Sequence, residues 1–155
     1  KGSAFAFATS NSASKTQPFE DLIMGLDMFA FSVPADESIR VASTDPDYEF
    51  ERNPNAQEIM YWRKNNALHG WMQALAEERL GISAEEFNCE YVQLSADDLR
   101  QLIADIEGDK LKPTQGFFFG AQSYSEEEKA EDIGWAKEAL RLIESGLDIY
   151  YSSWW

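Results

Sequence analysis

The chain has 155 residues, of which 44% are hydrophobic and 14% aromatic, enough to close one core and too apolar for a disordered segment. Its 28 acidic against 13 basic side chains leave a formal charge of −15, which argues against nucleic acid as a partner because the phosphates would be repelled. Cys89 is the only cysteine, which excludes an internal disulfide and a multi-cysteine metal cage and fits a reduced, cytoplasmic setting. No apolar run reaches the roughly 20 residues that span a bilayer, so no membrane association is expected.

Residues 1–23 are rich in Ser, Ala, Thr and Asn, and their charges cancel. That composition predicts a flexible leader or cloning remnant ahead of a single domain over 24–155. The apolar run from Leu26 to Val33 predicts a strand, and Pro34 to Glu37 then turns the chain into a second strand, Ile39 to Ala42, as a hairpin. Ser43 to Asn55, with Asp45, Asp47, Glu49 and Glu51, reads as an acidic loop. Asn55 followed by Glu58 has the spacing of a capping box, and Gly81 supplies a stop, so a long helix is predicted from Ala56 to Leu80. On such a helix Tyr61, Lys64, Leu68, Trp71, Met72 and Leu75 share one face, which draws Lys64 into an apolar stripe and calls for a partner; Asp27 is the candidate.

Beyond Gly81 the elements are announced by serines. Ser83 with Glu86 opens a short helical turn, and Glu90 to Leu94 reads as a strand. Ser95 with Asp98 caps a helix carrying Leu99, Leu102, Ile103 and Ile106 and ending at Gly108. Phe117 to Phe119 reads as a strand. Ser125 with Glu128 opens the last helix, whose inner face is read as Ile133, Ala136, Leu140 and Ile143 flanked by Trp135, Ala139 and Leu142, with Gly146 closing it. Ile149 to Trp154 reads as a final strand. The fold class expected is α+β, a small mostly antiparallel sheet packed against two long helices and one shorter helix. Residues 56–81 are neutral overall, whereas 83–148 carry about ten net negative charges, so the acid lies on the later elements.

The sharpest chemistry lies in Tyr61-Trp62-Arg63-Lys64 and the following His69 and Trp71. Trp62, Asn66, His69 and Gln73 keep helical spacing and form a polar and aromatic ridge, while Arg63 and Lys64 can hold an anion. With Gln115, whose glycine-flanked loop permits close backbone approach, and Tyr151 in the aromatic terminus, they are the candidate ligand-binding residues: Trp62, Arg63, Lys64, Asn66, His69, Gln115 and Tyr151. The structural alternative makes His69 a hydrogen-bonded boundary residue and the aromatics core. No catalytic residue, metal site or cofactor is read from the sequence. Ser152 and Ser153 lack a nucleophile elbow, and the acids from Asp45 to Glu49 lack the glycine turn of a calcium loop. Cys89 is expected to be a small buried side chain.

Four strings together, Met24 to Met28, Tyr61 to Trp71, Gly116 to Gly120 and Tyr150 to Trp154, resemble a group of small bacteriophage and prophage proteins with no assigned activity. The resemblance spans residues 24–155 and implies a natural start at Met24, with Trp155 and the leader as additions. The function expected is a non-enzymatic, phage-type accessory protein that binds a basic host protein through its acidic surface. The alternative is a small-molecule or nucleotide-binding protein, or an enzyme, with a pocket around the Tyr61 to Trp71 helix.

Overall fold

A computed structural model describes residues 25–111 and 123–155. In chain order they form β1 (Asp27–Pro34), β2 (Arg40–Ala42), β3 (Phe50–Arg52), β4 (Gln57–Arg63), α1 (Asn66–Leu80), β5 (Tyr91–Leu94), α2 (Ala96–Glu107), α3 (Glu126–Glu144) and β6 (Leu147–Trp154). Four strands make one antiparallel sheet in the order β4-β1-β6-β5, and β2 with β3 makes a separate antiparallel ribbon. The architecture is α+β, as the sequence predicts.

Alternation along the strands sends Met28 and Ala30 of β1, Val92 and Leu94 of β5, and Ile149 and Tyr151 of β6 to the helix-covered face. There they meet Leu68, Met72 and Ala76 of α1, Leu99, Leu102 and Ile106 of α2, and Trp135, Ala136 and Ala139 of α3. Each fully buried Leu or Met contributes about 1.5 to 3 kcal/mol relative to exposure, so this face holds the fold together. Residues directly opposite in register share a face, which assigns the other side of the sheet. One row there is Arg63, Asp27 and Trp154, and the next is Tyr61, Phe29, Ser152 and Tyr91. The β2–β3 ribbon covers part of this outer face, placing the Arg52 guanidinium 4.3 Å from the Phe31 ring centroid and Arg40 5.3 Å from that of Tyr91.

Several sequence expectations change. The segment expected to begin a helix at Ala56 is instead a strand through Arg63, and the helix begins at Asn66. Asn65 is its cap: the side-chain oxygen accepts from the Leu68 N–H at 3.1 Å, while Asn55 binds Glu37. The expected hairpin between β1 and the Ile39–Ala42 strand does not form. Both edges of β1 are taken by the longer β4 and β6, and β2 pairs with β3, cut from the supposed acidic loop. The buried face of α3 is rotated to Asp132, Trp135, Ala136 and Ala139, with Ile133, Leu140 and Ile143 only partly buried against the core. Cys89 is an exposed free thiol, not a buried side chain. The capping boxes at Ser95–Asp98 and Ser125–Glu128 form with both reciprocal bonds. The leader, the Phe117–Phe119 strand and Gln115 lie outside the described residues.

Gly81 and Gly134 give a paired test of the helix ends. Gly81 closes α1 at φ 68° with its N–H on the Glu77 carbonyl, whereas Gly134 lies within α3 at an ordinary helical φ; a methyl group at either would meet nothing within 4 Å. Gly81→Ala should therefore cost about 1 kcal/mol through backbone strain alone, and Gly134→Ala should stabilise by about 0.5 to 1 kcal/mol. Urea unfolding of the two variants checks both signs.

Candidate functional site

The β4–α1 turn gathers the polar groups that the sequence singles out. Lys64 adopts a left-handed backbone (φ 57°) and donates its N–H to the Leu26 carbonyl at 2.8 Å, which takes the chain out of the sheet and into α1. Trp62, the last inward residue of β4, then points beneath the helices. Its Nε1 donates to Asp132 Oδ1 at 2.8 Å, Asn65 Nδ2 donates to Asp132 Oδ2 at 2.8 Å, and the Tyr124 hydroxyl donates to the same oxygen. Asp132 is completely buried. Burial raises its pKa, and the three donors oppose that rise by favouring the carboxylate. The Tyr124 phenol is held well above its ordinary value, first by burial and then by the bond to Asp132. The Trp135 ring meets Trp62 edge-on at 4.9 Å, so the carboxylate sits in an aromatic wall.

A second polar pair lies deeper. His69 Nδ1 and the Tyr151 hydroxyl are 2.8 Å apart, and both side chains have zero exposure. The imidazole stacks on Phe87 at 5.7 Å and meets the Trp155 edge at 5.2 Å. Burial pushes the His69 pKa down to about 4, which keeps the ring neutral, and pushes the Tyr151 hydroxyl well up. Two neutral groups bonded to each other inside a core make a structural bond.

The other candidates disperse. Arg63 and Tyr61 stand on the outer sheet face, where Arg63 Nη1 lies 3.1 Å from Asp27 Oδ1 and the Tyr61 hydroxyl donates to the same oxygen. Asp27 is therefore the partner of Arg63, which register places directly opposite, and not of Lys64, which leaves the sheet at that point. Lys64 is half-buried and has no ion pair among the described residues. It borders a cleft lined by Asn65, Asn66, Tyr124 and Glu128 whose volume is about 0 Å³. Asn66 is buried. The predicted single ridge of Trp62, Asn66, His69 and Gln73 is thus split between a strand and a helix.

Two features escaped the sequence reading. Asp132 is in helical phase with Trp135, Ala136 and Ala139, so a lone acid within an apolar stripe was the available signal. The outer sheet face and its ribbon expose Tyr48 (68%), Phe50 (53%), Tyr61 (46%) and Trp154 (62%). Apolar side chains in both phases, Met28 and Ala30 against Phe29 and Phe31 in β1 and Tyr61 beside Trp62 in β4, hid the period of two that would have marked this face.

Among the described residues, no group of three or more His, Cys, Asp or Glu side chains is placed to hold a metal ion. No helix among them is long and apolar enough to cross a membrane. No family model matches the chain, and neither the curated proteins nor the solved structures include a match to it.

Proposed function

We propose that the chain is a non-enzymatic, phage-type accessory protein that binds a basic protein partner through the acidic surface of its helices. The observation that carries this reading is the distribution of unpaired acid. Glu77, Glu78, Glu107, Glu127, Glu131 and Glu144 are exposed on the three helices, and none has an ion pair among the described residues. With a net charge of −15, such a surface draws a cationic partner by long-range attraction and repels nucleic acid. Further support comes from the interior, where the groups best suited to chemistry, Asp132, His69 and Tyr151, are buried against partners of their own. The phage-type part of the reading rests on the resemblance of the four strings.

Capture from a bacterial lysate tests it. The immobilised protein should retain a basic protein at low salt and release it by about 0.5 M salt, where screening shortens the reach of surface charge to a few ångströms. Retention of no protein, or of one indifferent to ionic strength, would contradict the reading.

A further inference from the structure

Helices α1 and α2 leave an open groove of about 320 Å³ between them. Trp71, Ala74, Leu75 and Glu78 follow i, i+3, i+4, i+7 spacing, so one stripe of α1 forms a wall that is apolar along three positions and acidic at the fourth. The facing wall is a stripe of α2, Asp98, Gln101 and Asp105. The single cation in the groove, Arg79, is taken up by Asp98 through two bonds of 2.6 and 2.9 Å. Asp105 is held differently: Oδ2 accepts from Trp71 Nε1 at 2.9 Å and Oδ1 from Gln101 Nε2 at 2.8 Å. Those donors are neutral, so they orient the carboxylate without cancelling its charge. Glu78 is exposed and has no ion pair among the described residues. The groove therefore offers apolar area beside two uncompensated carboxylates, one of them fixed in place.

We propose that this groove receives an amphipathic basic helix of a partner protein, with aliphatic side chains against Trp71, Ala74 and Leu75 and Lys or Arg side chains on Glu78 and Asp105. The proposal rests on the acidic-surface reading above and names the surface that reading requires. Charge complementarity selects the occupant, since a cationic segment gains both the local carboxylates and the field of the whole chain, whereas a second copy at −15 would be repelled. A helix suits the walls, because ridges of side chains at i, i+3, i+4, i+7 interlock with those of another helix, and no open strand edge lines the groove.

The probe is a synthetic peptide of about four helical turns, with Leu on one face and Lys flanking it, compared with a scrambled peptide of the same composition by fluorescence anisotropy. The patterned peptide is expected to bind at least about tenfold more tightly than the scrambled one. Glu78→Gln with Asp105→Asn, and separately Ala74→Arg, should each weaken it by about tenfold, the second variant touching an exposed residue and leaving the Trp71–Asp105 bond intact. Asp36→Asn with Glu58→Gln, an equal change of charge at exposed positions outside the helices, should leave binding within about twofold. Equal affinity for the two peptides, or equal weakening by the Asp36 and Glu58 pair, would overturn the groove while leaving the acidic-surface reading in place. Failure of both peptides to bind would overturn the groove as well, and the acidic-surface reading is then judged separately by the salt-dependent capture.

Discussion

Asp132→Ala is expected to destabilise the fold by about 3 to 5 kcal/mol, the largest effect of any single substitution considered. The carboxylate is fully buried and receives Trp62 Nε1, Asn65 Nδ2 and the Tyr124 hydroxyl. Truncation leaves three donors without an acceptor and opens a void beside the Trp62–Trp135 pair. It also loosens Asn65, whose other side-chain atom caps α1, so the loss reaches the helix start. Asp132→Asn should cost less, about 1 to 2 kcal/mol: its oxygen still accepts, its amide must face a donor, and the Tyr124 hydroxyl can rotate to accept from it. Urea unfolding measures both. A loss below about 1 kcal/mol for the alanine variant would mean that the three donors find other partners and that Asp132 does not organise this turn.

Acidification should weaken the fold through His69. Burial lowers its folded pKa to about 4 from an ordinary value of 6.5, so between those values the unfolded chain takes up a proton that the folded chain refuses. The contribution is complete above pH 6.5, falls as pH drops towards 4, and is then constant, a total of about 3 kcal/mol. Asp132 acts in the opposite sense: its raised folded pKa favours the protonated folded form, so its own term improves as pH falls through that value. The two are separated by comparing the wild type with His69→Gln, which keeps a hydrogen-bonding group near the Tyr151 hydroxyl and removes the titration. Stability measured from pH 7 to 5 should decline in the wild type and stay nearly level in the variant. Parallel curves would show that the imidazole is solvated and protonates freely.

Much of the fold was legible because its signals were local. Ser95 with Asp98 and Ser125 with Glu128 fix two helix starts through bonds that span three residues, and β1, β5 and β6 announce themselves by short apolar runs. The error at Tyr61 to Lys64 has a physical source. Helical spacing runs across a turn there: a lysine does not mark the left-handed position that ends β4, and the Asn55–Glu58 spacing competes with the true asparagine cap at Asn65. Strand pairing was equally hidden, since the choice of β4 and β6 over β2 as neighbours of β1 depends on contacts distant in sequence. Of the candidate site, His69 and Tyr151 do meet, and Trp62 is buried as the structural alternative expects, whereas His69 is fully buried and not the boundary residue expected. Their organising partner, Asp132, was masked by the acidic first turns of α3, where acids usually serve the helix dipole and solvent.

One variant tests most directly the proposal that the acidic exterior, and not the buried polar interior, binds a basic partner. Replacing Glu77, Glu78, Glu107, Glu127, Glu131 and Glu144 by Gln removes charge from the helices while leaving Asp132, His69 and Tyr151 untouched. Surface changes of this kind alter stability by only about 0.5 kcal/mol each, so the variant should remain folded, and capture of the basic partner at low salt should be lost. Undiminished capture by the folded variant would contradict the claim that the helical acids carry the binding.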